Sequence, residues 1–163
     1  MNPELTIPEE TLRTFRTMRA RIRGFGASFA PEELFRIPPG FSNSIGWNLA
    51  HIWVTHQLLC YRLSGLPLLI EEEAVRMYGK GSSPADWAAS PAPASVLTPL
   101  TELADRFEED LAAGRFGSFT PYTTSAGIEL RSLAEAVEFN ALHEGLHLGY
   151  AMAIRRALAG TGA

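Results

Sequence analysis

Apolar residues in this chain recur at helical spacing in four long segments, and no segment shows the two-residue alternation of a half-buried strand. That pattern confines the fold to helices packed on helices. The first predicted helix runs from about Pro8 to Phe29, opened by Thr6 or by the Pro8-Glu9-Glu10 turn, with Leu12, Phe15, Met18 and Ile22 on one stripe. A loop, RIPPGFSNS, follows, and Ser42 or Ser44 at its end is placed to cap a second helix that reaches Leu63 and stops near Gly65 and Pro67. Residues 79 to 94, GKGSSPADWAASPAPA, read as an ordered connection with at most one short helix, long enough to cross the end of a bundle. The third helix spans Ser95 to about Ala113, with Val96, Leu100, Leu103 and Phe107 as its apolar stripe. After the loop GRFGSFTPYTTSAGIEL, which has room for an extended piece, the fourth helix starts near Glu129 or Ser132. It runs to about Ala159 and ends at Gly160, after Arg155 and Arg156. The expected fold is all-α, a four-helix bundle in a single domain over residues 1–163, with no internal repeat.

Composition narrows the function. With 46% hydrophobic and 20% charged residues, the 163-residue chain is of the ordinary globular kind. Its 14 basic against 18 acidic residues give a net charge of −4 with no basic run, which argues against a nucleic-acid or anionic-membrane partner. The N-terminal residues mix acids and bases without the apolar core of a secretory signal. The longest apolar region, around residues 45 to 60, is interrupted by Asn48, His51, His56 and Gln57, so no bilayer span is expected. The single cysteine, Cys60, makes no intramolecular disulfide and reads as a small buried hydrophobe; a cytoplasmic location fits.

The four histidines all fall on the second and fourth predicted helices. His143 and His147 are four residues apart, which on a helix separates them by about 40° in azimuth and roughly 6 Å along the axis. Their face continues through Ala136, Asn140, Tyr150, Ala151 and Ile154 and is expected to point inward. Such a pair binds a divalent ion if a third ligand converges from a neighbouring helix, and His51 can supply it. His56 faces roughly 140° away from His51, so it is expected to be packed in the core or at an interface.

The pair also spells HEGLH, the H-E-x-x-H string of zinc proteases. Those enzymes take a third ligand from downstream, and here the downstream sequence LGYAMAIRRALAGTGA offers no Asp, Glu, His or Cys. Glu144 lies about 100° around the helix from His143, to the side of the pair.

A histidine within Gly-Trp-Asn-Leu-Ala-His on the second helix, and an H-x-x-x-H pair on the fourth followed by Leu-Gly and Ile-Arg-Arg, resemble the DinB superfamily over nearly the full chain. That superfamily includes the bacillithiol and mycothiol S-transferases and many members of unknown activity. The resemblance implies up-down-down-up connectivity, a divalent ion on His51, His143 and His147, and a homodimer. The chain departs from many relatives at Leu148, where a polar residue is common.

Three histidines leave a coordination position open, the mark of a catalytic rather than a purely structural ion. Such an ion can lower the pKa of a bound water for hydrolysis or hold a low-molecular-weight thiol as its thiolate, and the ligand set suits both. Zinc or nickel is expected, with manganese and iron also compatible with imidazole. Asn48 and Asn140 each precede a ligand by three residues, where an amide either orients an imidazole or bonds the local backbone. Trp47, Tyr150 and Glu144 are candidates for the substrate pocket, Tyr122, Thr123 and Thr124 for the cavity mouth, and Ala50, Gly145, Gly149 and Ala151 for leaving room. The expected function is a metal-dependent S-transferase or hydrolase acting on a small molecule. The alternative is a metal-binding bundle without turnover, which predicts a fourth protein ligand or a sealed site.

Overall fold

The computed structural model describes residues 7–160. Helix α1, Glu9–Gly26, carries Glu9 and Glu10 in its first turn and Arg23 in its last, each sign matched to the helix dipole. It buries Phe15, Arg19, Ile22 and Gly26, successive positions on one stripe. Thr6, the other candidate start, lies outside the described residues. A short helix α2, Pro31–Phe35, follows, with proline at its first position and Glu33 Oε2 accepting the Ala30 N–H at 3.2 Å.

Helix α3, Ile45–His56, is capped by Ser44, whose Oγ accepts the Trp47 N–H at 3.1 Å, and it is continued by a π turn, Gln57–Arg62. The combined element reaches the length the sequence predicts. Every residue from Ser44 to Val54 is buried, because this helix is apolar nearly all round and is enclosed on all sides. Gln57 turns its Oε1 to the Leu69 N–H at 2.9 Å and ties down the returning chain.

Helix α4, Glu72–Tyr78, has seven residues, too few for a helical period to stand out in the sequence; Tyr78 is buried, and Ala74, Val75 and Met77 pack partly buried against the core. Beyond it a single 3-10 turn, Pro84–Asp86, occupies the predicted connection. The predicted third helix divides into α5, Pro93–Leu97, and α6, Pro99–Ala112, because Pro99 has no N–H to continue the hydrogen-bond ladder. Val96, Leu100 and Phe107 of the stripe are buried, and Leu103 packs partly buried against the core. The extended piece in the next loop is a hairpin of β1, Tyr122–Thr123, and β2, Glu129–Leu130, antiparallel, with Tyr122 opposite Leu130 and Thr123 opposite Glu129. Gly127 at φ +77° makes its turn. Ser132 Oγ then accepts the Glu135 N–H at 3.2 Å and opens α7, Leu133–Gly160.

The protein is thus mostly helical, with α3 lying along α7, α1 along α6, and α1 also touching α3 and α7. One apolar cluster joins Leu49, Ile52 and Trp53 of α3 to Ala151 and Ile154 of α7, and a second joins Phe15, Tyr61, Phe107 and Val137. The close approach of α2 to α3 depends on Gly46, where a Cβ would lie 2.5 Å from the Phe35 ring and 3.2 Å from the Leu34 carbonyl oxygen. Gly46→Ala is therefore expected to destabilise the fold by about 1–3 kcal/mol, read from urea unfolding followed by circular dichroism. An unchanged midpoint would mean that α2 moves aside freely.

Candidate metal centre

Packing of α3 on α7 brings three imidazoles together. Ring centroids of His51 and His147 lie 4.6 Å apart, those of His51 and His143 5.1 Å, and those of His143 and His147 4.4 Å. One ring nitrogen from each lies within 4.8 Å of the others, so the group could hold a metal ion. Among the described residues this is the one such cluster of three. The i, i+4 spacing on α7 puts two imidazoles on one face, and α3 carries the third because it is the helix laid against that face.

Hydrogen bonds set the tautomers. His51 Nδ1 lies 2.6 Å from the Tyr78 carbonyl oxygen, so that nitrogen carries the proton and Nε2 keeps its lone pair. The hydroxyl of Thr55 stands 3.2 Å from this Nε2. Asn48 donates its Nδ2 to the Ser44 carbonyl at 2.8 Å, which leaves Oδ1 as the atom facing His147 Nδ1 at 2.8 Å. The imidazole must donate there, and its Nε2 likewise keeps its lone pair. His143 has its Nδ1 buried without a hydrogen-bond partner among the described residues. Trp47 lies flat on His51, centroids 4.7 Å apart and planes 10° from parallel, and its Nε1 donates to Ser82 Oγ at 2.9 Å.

Burial keeps these rings neutral. It lowers His143 to about 3, helped by the charges of His147, His51 and Arg19, and lowers His147 to about 4, helped by His51. His51 is also lowered by burial, opposed by its bond to the Tyr78 carbonyl. Three neutral imidazoles, two with their outward nitrogens already protonated and bonded, fit a divalent metal ion.

The cluster opens on a cavity of about 850 Å³, within the range of small-molecule sites. Trp47, Asn48, Tyr150, Tyr122 and Thr124 line it, in keeping with the sequence expectation, although Tyr150 is half exposed at the rim and rests against Phe41. Thr123 does not line it.

Three expectations are corrected. Glu144 is buried on the other side of α7, where Arg19 Nε donates to its Oε1 at 2.9 Å, so it does not face the cavity. Asn140 spends its Nδ2 on the Ala136 carbonyl at 2.8 Å and reaches Cys60 Sγ at 3.7 Å, the local backbone bond that is its alternative role. Gly145 and Gly149 lie on the exposed face of α7, with nothing within 4 Å of the position a Cβ would take, so the room beside the site is not theirs. Ala50 and Ala151 are buried in the core.

His56 is buried with Phe15 stacked at 5.0 Å and Phe107 edge-on at 4.7 Å, the packed role expected of it. Cys60 is buried, and burial pushes its thiol well up, so it is no nucleophile. The Tyr78 carbonyl escapes sequence reasoning because a backbone oxygen has no signature. Thr55 shares the face of His51 in the sequence, but spacing alone gives its hydroxyl no role.

Asn48→Ala is expected to weaken metal binding by about 10–100-fold, measured by competition with a chromogenic chelator. An unchanged affinity would mean that Asn48 does not hold the His147 ring.

A helical bundle with a three-histidine cluster at the floor of an open cavity defines a class of site built between facing helices. The family profile described as the DinB superfamily matches residues 14–151, and the chain belongs to that superfamily. No curated protein matches the chain. No helix among the described residues is long and apolar enough to cross a membrane.

Proposed function

We propose that the chain is a single-domain, metal-dependent enzyme that transfers a low-molecular-weight thiol to a small-molecule substrate, with His51, His143 and His147 as the metal ligands. The observation that carries this reading is the opening of the three imidazoles onto a cavity of small-molecule size. A divalent ion bound there, zinc or nickel before manganese or iron, supplies Lewis acidity and stabilises a thiolate at neutral pH. The protein's own part is to hold the rings. Tyr78 and Asn48 fix two tautomers, Trp47 lies against one ring, and Thr55 presents a hydroxyl beside the ligating nitrogen.

Hydrolysis is the second reading, and one observation ranks it lower. A hydrolase of the H-E-x-x-H type uses its glutamate as a base, and Glu144 is engaged by Arg19 outside the cavity. Among the described residues that line the cavity there is no Asp, Glu or Cys, so a fourth protein ligand of the kind a non-catalytic centre would use is not at hand. A cytoplasmic homodimer, with no nucleic-acid or membrane partner, completes the proposal, in keeping with the net charge of −4.

The test is metal content by plasma mass spectrometry on untagged protein purified without chelators, beside His143→Ala. The expected result is about one equivalent in the wild type and loss in the variant. No metal after reconstitution with zinc, nickel, manganese or iron would overturn the reading.

A further inference from the structure

We propose that the substrate of this cavity is an amphiphilic anion, an apolar body carrying one acidic group, and that Lys80 receives the acidic group. The proposal rests on the reading of the cavity as the substrate site and adds the chemical class that enters it.

The charge lining the cavity is opposite to that of the whole chain. The protein has 18 acidic residues against 14 basic, yet the described residues lining this cavity include Arg62 and Lys80 and no Asp or Glu. Lys80 is the only lysine in the sequence; every other cation among those 14 is an arginine. It is also the free one of the two, with no hydrogen bond or ion pair to its side chain among the described residues. Arg62 already faces Glu72 at 3.5 Å.

The position of Lys80 is fixed by the metal centre. Two residues before it, the Tyr78 carbonyl holds His51; two residues after it, Ser82 holds the Trp47 that lies on His51. Between these anchors Gly81 takes φ +89°, a conformation that turns the chain at no steric cost. The root of the lysine is therefore set within a few residues of the ligands. Arg62 lies eleven residues beyond His51 on the same helical rod, on the order of 15 Å along its axis. A flexible four-carbon stem ending in a compact charge suits an anion whose exact reach varies.

The remaining wall is apolar. Leu142, Leu146 and Ile128 are among the most exposed large apolar side chains of the described residues, at 56%, 65% and 42%, and all three border this cavity together with Leu58, Leu63 and Phe139. Exposed apolar side chains gathered at the mouth of a cavity mark a surface that a ligand covers. A carboxylate, sulfonate or phosphate monoester on an apolar body satisfies both features.

The experiment compares two fluorescent probes of nearly the same shape, anionic 8-anilinonaphthalene-1-sulfonate and neutral N-phenyl-1-naphthylamine, on the full chain. Titrations are run on the wild type, Lys80→Met, Lys80→Arg and Arg62→Met, with and without prior metal removal by chelator, and circular dichroism checks the fold of each variant. The wild type is expected to prefer the anionic probe. Lys80→Met should weaken that probe by about three- to tenfold and leave the neutral one within about twofold, Lys80→Arg should restore the preference, and Arg62→Met should change it less. The preference should survive metal removal, so a protein that proves to hold no metal still tests the lysine. Equal binding of both probes by the wild type, a preference that Lys80→Met leaves intact, or a preference that vanishes with the metal alone would each overturn the assignment.

Discussion

His147→Ala is expected to lower zinc affinity by more than about 100-fold, beyond the 10–100-fold that losing a group behind a ligand costs, while His56→Ala retains the wild-type affinity. The contrast is a direct reading of helical geometry. His51 and His56 share one helix five residues apart, and only His51 stands on the side where α7 presents His143 and His147. His56 faces the second core cluster, sandwiched by Phe15 and Phe107, and burial, with the nearby charge of Arg19, holds it well below its ordinary pKa. Its removal empties a core position and should reduce stability without touching the metal. The measurement is a zinc titration against a chelator of known affinity, beside urea unfolding of both apo variants. Zinc retained by His147→Ala, or lost in a folded His56→Ala, would sink the ligand assignment.

That contrast is legible in the amino-acid sequence, because the period of an α-helix fixes the relative azimuths of its residues. The same periodicity places the stripe Val96, Leu100 and Phe107, and local residue preferences narrow the second helix's cap to Ser42 or Ser44 and the fourth helix's start to near Glu129 or Ser132, of which Ser44 and Ser132 make the capping bonds. Signals that depend on distant chain segments are not legible in this way. Asn48 stands three residues before His51, which suggests a role beside that ligand. Its amide instead turns across to His147, 99 residues away, because its own helix takes the other end of the amide at the Ser44 carbonyl. Tyr78 acts through a backbone oxygen delivered by a helix too short to show an apolar stripe. Pro99 marks the break between α5 and α6, but the stripe of apolar residues runs straight through it and hides the missing hydrogen bond.

Arg19→Met is expected to destabilise the protein by about 3–5 kcal/mol, and the double variant Arg19→Met with Glu144→Leu to recover most of that loss. Arg19 Nε donates to Glu144 Oε1 at 2.9 Å, a terminal guanidinium nitrogen lies 2.8 Å from the same oxygen, and both side chains are 1% exposed. The pair ties α1 to α7, and the guanidinium also lies 4.9 Å from the Phe15 ring centre. Burial raises the Glu144 pKa and Arg19 opposes the rise, so removing the cation leaves a carboxyl that must be desolvated unpaired or take up a proton. Replacing both partners by apolar side chains removes that penalty, which is why the double variant should be the more stable of the two. Urea unfolding monitored by circular dichroism reads both effects, and a single variant within about 1 kcal/mol of wild type would show the pair to be energetically idle. The double variant also decides what the glutamate of HEGLH is for. If zinc affinity and thiol transfer persist in a folded protein that lacks Glu144, then the residue that makes the string look like a protease motif serves the joint between two helices, and the two histidines around it serve the metal without it.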